Sequence, residues 1–206
     1  MENNKVRLIS FADLKSFCKQ VYQRVGVPDD EADIVADLLV RADLRGVETH
    51  GVTRLPIYIQ RLQKGYVRAE CKMTIVREKG ATAFIEAHGS MGHVVSYKAM
   101  EMAIQKAMEF GMGWVSVRDS GHFGVAGLFP MMALDKDFIG YVVTNSAPMV
   151  APYGGRERIL GNNPLSFAFP ADRYPAIVLD MSISVVSSGK MILCRLKRIR
   201  DNQVRL

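Results

Sequence analysis

Ser120-Gly121-His122-Phe123-Gly124-Val125-Ala126-Gly127 is the stretch on which the fold turns. It follows Trp114-Val115-Ser116-Val117, an apolar run that reads as a buried strand, and precedes Leu128 to Leu134, which reads as a helix. A dinucleotide fold of the Rossmann type would carry G-x-G-x-x-G at such a junction. Here the glycines stand at 121, 124 and 127, so that site has no support. Gly121 and Gly124 still permit positive φ and close backbone approach. Their amides, with the N-terminus of the following helix, could receive phosphate. Equally, the glycines could serve a tight connection and nothing else.

The second stretch is Arg45-Gly46-Val47-Glu48-Thr49-His50-Gly51-Val52-Thr53-Arg54. It places His50 after a helix stop, with Arg54 one helical turn onward. An imidazole exchanges a proton near neutral pH, and an arginine holds a carboxylate by two parallel hydrogen bonds. A general acid beside an anion clamp is one reading. The other is a histidine closing a loop, with Arg54 paired to Glu48.

Outward from these segments the pattern is mixed. Apolar spacing predicts helices from Ser10 (the N-cap) to about Arg24, from Val27-Pro28-Asp29 to about Ala42 with Asp29 as cap, and from Pro56 to Lys64. Met73–Val76 and Ala81–Ala87 read as strands. Ser90 to Phe110 reads as a helix capped by Ser90 and closed by Gly111. Ile139–Thr144, Leu165–Phe169 and Ile177–Leu179 read as further strands between Pro, Gly and Asn-rich loops. The order is mixed α and β without regular βαβ alternation, so the fold class is α/β of the mixed α+β kind. The expected division is an N-terminal helical unit (1–70), an α/β domain with a largely antiparallel or mixed sheet (71–189) and a basic tail (190–206).

Composition is that of a globular protein: 206 residues, 49% hydrophobic and 23% charged. The net charge of +6 is a local matter, because residues 190–206 hold six basic residues and one acid. The body is close to neutral, which argues against a nucleic-acid face on it. The tail interleaves Leu193, Leu196 and Ile199 with its cations but has no stacking aromatic, so single-strand binding through it is the weakest reading. Three dispersed cysteines, Cys18, Cys71 and Cys194, give neither a disulfide framework nor a zinc pattern. With no apolar run behind a basic start and none of spanning length, a soluble cytoplasmic protein is expected.

Other polar positions remain open. Asn145-Ser146-Ala147-Pro148 and Gly161-Asn162-Asn163-Pro164 could present amides and hydroxyls to a ligand, or be ordinary turns. Asp180, at the end of an apolar strand, could orient a histidine or cap the next segment. His88 and His93 flank Gly89-Ser90-Met91-Gly92, but no third ligand accompanies them, so no metal is expected.

Ala42-Asp43-Leu44-Arg45-Gly46-Val47-Glu48-Thr49-His50-Gly51, Gly121-His122-Phe123-Gly124, Pro152-Tyr153-Gly154-Gly155, Gly161-Asn162-Asn163-Pro164 and Leu179-Asp180-Met181 occur in this order. Together they resemble the malate/L-lactate dehydrogenase family of non-Rossmann, NAD(P)-dependent oxidoreductases, across roughly residues 8–190. The resemblance implies hydride transfer between NAD or NADP and a 2-oxo/2-hydroxy acid or matching cyclic imine. It implies His50 as proton donor, Thr49 and Asp180 as its relay, and Arg54 on the substrate carboxylate. Ser146 and Asn162 would face substrate or nicotinamide. His122, Phe123, Gly124, Val125 and Ala126 would line the cofactor, with His122 as the base in some members. It also implies a homodimer.

Thr49 stands where the family often has serine, which keeps the hydroxyl but stiffens χ1. Asn162 stands where threonine is common. From Met191 onward the chain departs from the family pattern, and the charge jump at residue 190 coincides with that departure. The expectation is therefore a truncated chain with a non-native tail. The alternative function is an impaired remnant acting at most as a binding module.

Overall fold

The computed structural model describes residues 8–184 and 189–190. Ser188 and the basic tail from Met191 lie outside them. Helix α1, Phe11–Gln23, starts where the Ser10 hydroxyl accepts the Asp13 amide at 3.1 Å. Helix α2, Asp29–Leu44, differs from expectation at its first residue. Pro28 occupies the N-cap position, and the Asp29 carboxylate instead takes hydrogen bonds from Lys19 (3.0 Å) and Gln23 (2.7 Å) of α1. Asp29, Asp30 and Glu31 still oppose the helix dipole from the first turn. Two 3-10 turns, Glu48–His50 and Val52–Arg54, lead into α3, Leu55–Gln63.

Two three-stranded sheets follow. In the first, β1 (Thr74–Lys79) pairs antiparallel with β2 (Thr82–Ser90), and β2 pairs parallel with β3 (Trp114–Ser120). Helix α4, Gly92–Phe110, is the crossover that a parallel pair requires. Ser90 does not cap α4. It ends β2, fully buried, where its hydroxyl accepts the Lys72 amide at 2.9 Å and faces the Lys72 carbonyl at 3.2 Å. Met91 holds the N-cap position instead. Gly111 closes the helix at φ 79°, as expected.

The segment after the Gly121–Gly127 loop is not an α-helix. It forms 3-10 turns over Ala126–Leu128 and Pro130–Lys136, with Pro130 opening the second, where its missing N–H leaves no bond unmade. The second sheet is antiparallel: β4 (Gly140–Val143), β5 (Leu165–Phe169) and β6 (Ile177–Met181), in that order. The class is thus mixed helix and strand with one mixed and one antiparallel sheet.

The main core joins α1, α2 and α3 to the start of α4 through Cys18, Tyr22, Val35, Leu39, Tyr58, Met91 and Val94. A second cluster packs Leu38 and Ala42 of α2 on Val125, Leu128 and Phe129. The buried Glu31 carboxylate pins these layers, pairing with Lys98 of α4 at 2.9 Å and accepting the Cys71 amide at 2.9 Å. Among the described residues, no helix is long and apolar enough to cross a membrane.

Candidate active site

The 3-10 turns at Glu48–Arg54 owe their shape to Asp43. Its carboxylate accepts the Val52 amide at 3.0 Å, and a Cβ on Gly51 would come within 1.9 Å of the same group. Only glycine fits there. The turn then sets His50 beside Thr49, whose hydroxyl lies 2.8 Å from His50 Nδ1. Arg54 reaches back and donates from Nε to the Thr49 carbonyl at 2.7 Å. Gly189 packs on the same turn: a Cβ there would meet Arg54 Nη2 at 2.6 Å and Thr49 at 3.1 Å.

Strand β3 delivers His122 to this place. The imidazoles of His50 and His122 stack, with centroids 5.8 Å apart and planes 14° from parallel. Tyr58 of α3, buried, sets its hydroxyl 2.8 Å from His122 Nδ1, and the Gly124 amide donates to the same nitrogen at 3.1 Å. His93, at the start of α4, meets the Tyr58 ring edge-on at 4.9 Å. Its Nε2 is buried without a hydrogen-bond partner and abuts Gly124, where a Cβ would approach to 2.7 Å. Tyr58 is a member of this cluster that the sequence reading does not single out, and His93 enters that reading only as a metal-ligand candidate beside His88. Tyr58 falls on the apolar face of its helix, and His93 sits in a helix entrance, so both looked structural.

The cluster holds its imidazoles neutral. Burial, with Arg54 beside it, pushes His50 down to about 4. Burial, then the charges of His50, Arg54 and Arg61, push His122 down to about 4, although that residue keeps an open face. Burial pushes His93 to about 3, and Tyr58 up to about 12.

The Gly121–Gly127 loop spends its special features internally. A Cβ on Gly92 would strike the Gly121 carbonyl at 2.1 Å, so the glycines let α4 and the loop touch. The Gly124 amide is taken by His122, and the Gly127 amide by the Asp180 carboxylate at 3.0 Å. Val125 is buried in the second core, Ala126 is buried beside it in the chain, and Phe123 stacks on Phe129 at 5.3 Å. These two amides are thus not free for a phosphate. What the loop leaves open toward a ligand is the His122 ring and main chain around it. Asp180, on β6, takes the Gly127 amide rather than a histidine, and burial raises its carboxyl above the usual range.

Ser146 and Asn162 do come together. The Ser146 hydroxyl donates to Asn162 Oδ1 at 2.5 Å and accepts the Asn162 amide at 2.9 Å, while Asn163 Oδ1 accepts the Ser146 amide at 3.0 Å. The two polar loops are therefore one clasp. His88 is apart from the cluster, against Thr74 at 2.9 Å. No metal-holding group occurs among the described residues.

Residues 9–199 match the malate/L-lactate dehydrogenase family. The chain belongs to that family. It is 45% identical over 174 residues to an L-sulfolactate dehydrogenase of Methanothermobacter thermautotrophicus, covering 84% of this chain and 51% of that protein. It is 44% identical over 197 residues to a malate dehydrogenase of Pyrococcus abyssi, covering 96% and 54%. The solved malate dehydrogenase of Pyrococcus horikoshii superposes with a TM-score of 0.88 at 43% identity, over 92% of this chain and 54% of that one. The chain spans about half the length of the curated relatives it matches. The family match continues past Lys190 to residue 199.

Proposed function

We propose that this chain carries the proton-transfer and carboxylate-binding half of an NAD(P)-dependent oxidoreductase acting on 2-hydroxy/2-oxo acids. The observation that supports it most is the facing pair His50 and His122 with Arg54 behind it. Arg54, its Nε held by the Thr49 carbonyl, is the side chain that would take a substrate carboxylate through its guanidinium. In the oxidation direction, neutral His50 takes the hydroxyl proton. In reduction, protonated His50 returns it to the carbonyl oxygen as negative charge develops. The Thr49 hydroxyl can accept from Nδ1–H in both states, which leaves Nε2 to take and return the proton. Asp180 acts on the proton path only indirectly, by fixing Gly127 and the loop before it.

A nicotinamide, when bound, supplies or takes the hydride. The open His122 ring and the main chain of Phe123 and Gly124 fit its flat end, with Val125 and Ala126 supporting from the core. Ser146 and Asn162 face the substrate side in this reading. The cofactor in this reading is NAD or NADP. A homodimer in the cytoplasm, with no nucleic-acid or membrane partner, belongs to the same proposal.

The test is oxidation of NADH and NADPH across a panel of 2-oxo acids. Activity is expected with at least one pair, and His50→Ala should lower kcat by about 100-fold or more. The reading fails if neither nucleotide is oxidised with any acid by this chain or by a longer one containing it.

A further inference from the structure

The two stacked histidines have different partners, and the difference assigns them different work. His50 Nδ1 faces a hydroxyl, which can donate or accept. His122 Nδ1 faces the Gly124 amide, which can only donate. The Tyr58 hydroxyl, the closer of the two groups at 2.8 Å, converges on the same nitrogen. The amide at 3.1 Å favours a lone pair on Nδ1, and the closer Tyr58 hydroxyl, donating beside it, secures one. The proton of the neutral ring then resides on Nε2. A proton added to Nδ1 would face an N–H head-on.

We infer that Tyr58 is a positioning residue which, with the Gly124 amide, locks His122 as a fixed Nε2–H donor, leaving His50 to exchange the reaction's proton. This rests on the oxidoreductase reading. In that reaction, the hydroxyl O–H bond breaks and its proton goes to His50. The C–H bond breaks and its electron pair leaves with the hydride to the nicotinamide. His122 gives one hydrogen bond to the oxygen and ends the cycle with the proton it began with. His50 can take a proton at Nε2 because the Thr49 hydroxyl accepts from its Nδ1–H; His122 cannot while Tyr58 and the Gly124 amide both donate to its Nδ1.

Among the described residues, the groups facing His122 are Tyr58 and Arg61 from α3, His50 and Arg54 from the 3-10 turns, and His93 from α4. None is a carboxylate that would favour an imidazolium. Tyr58 stabilises the neutral ring by donating to it, so its removal should ease protonation.

The decisive measurement is long-range proton–nitrogen NMR of the imidazole side chains in the full chain, from pH 4 to 9. In the unaltered chain, neutral His122 should carry its proton on Nε2 throughout. In Tyr58→Phe, an Nδ1–H population should appear and the titration midpoint should rise by about one pH unit, a tenfold change in proton affinity. A His122 ring protonated at Nδ1 in the unaltered chain overturns the inference, whether or not Tyr58→Phe folds. So does a Tyr58→Phe protein in which neither tautomer nor midpoint moves. Kinetics add an independent arm. An amide side chain can mimic an acceptor paired with a fixed donor but cannot exchange a proton. His122→Asn should therefore lower kcat clearly less than His50→Asn, which loses about 100-fold or more. Equal losses would place the proton on both rings and sink the assignment. If no acid is turned over at all, the oxidoreductase reading falls, while the NMR still decides whether Tyr58 sets the tautomer.

Discussion

At the scale of single residues, the site is governed by a competition between burial and charge. Arg54 is the nearest cation to both imidazoles and helps hold them neutral. A substrate carboxylate bound to Arg54 offsets that charge, so His50 must become more basic when the acid is seated. In the oxidation direction the base has to be neutral, and the rate falls on the acid side of its pKa. The acid limb of kcat/KM, which reports the free protein, should lie near 4. The limb of kcat, which reports the complex, should lie measurably higher. Coincident limbs would show that Arg54 and substrate do not meet. Arg54→Lys loses the planar fork and the Thr49 anchor, and should raise KM for the acid by about 10- to 100-fold.

The same imidazoles make the fold sensitive to acid. Each is held below its ordinary value of 6.5 in the folded chain, to about 4 for His50 and His122 and about 3 for His93. Above pH ~6.5 both folded and unfolded chains leave them neutral, and nothing is lost. As pH falls below that, the unfolded chain takes up protons the fold refuses, so stability drops with each step toward 4. His93, fully enclosed, dominates, at on the order of a few kcal/mol; His122, with its open face, contributes less. Thermal unfolding followed by circular dichroism should show Tm level from pH 8 to about 7 and falling steeply toward 4.5. A flat profile would mean that water reaches these rings.

At the scale of elements, the close approach of α4 to the loop after β3 is what brings His93, Tyr58 and His122 together. Gly92 makes it possible, since a methyl there would lie 2.1 Å from the Gly121 carbonyl. Gly92→Ala should cost about 1–3 kcal/mol by forcing backbone apart, and should displace His122 from Tyr58. Gly26→Ala, with φ +87° but open space around it, should cost only the local strain of about 1 kcal/mol. Urea unfolding of both variants separates crowding from strain.

Elements of strong period were legible in the chain. Apolar spacing and the Ser10 cap give α1, and Gly111 gives the end of α4. What failed was local competition. Ser90 looks like a cap because serine favours caps, but a buried strand end can satisfy its hydroxyl just as well through Lys72. The stretch 128–134 has helical spacing but winds as 3-10 turns, which apolar spacing over so few residues does not tell from an α-helix. At the site, His50 and His122 stand out because glycines flank them. Tyr58 does not, because an aromatic at helical spacing reads as core, and its hydroxyl finds His122 only across 64 residues.

At the scale of the whole molecule, the second sheet has two unlike faces. Register puts Gly140, Ala168 and Val178 on one side with Val142, Ser166 and Asp180, and this side covers the 3-10 turns. The other side carries Tyr141, Val143, Leu165, Phe167, Phe169, Ile177, Leu179 and Met181, every one apolar. Ile177 is 66% exposed, Val143 and Met181 48% each, and Leu179 43%. Trp114 extends this surface across to the first sheet through its ring contact with Tyr141 at 5.9 Å. An apolar face of this extent, open to water, drives association. The 206-residue chain alone should bind a hydrophobic dye strongly and scatter light increasingly with concentration. Ile177→Lys with Met181→Lys places two charges on that face without touching the His50–His122 cluster. Both signals should fall together, while the helical circular dichroism stays unchanged. If scattering persists in the double variant, the association runs through another surface and the sheet face is not its cause.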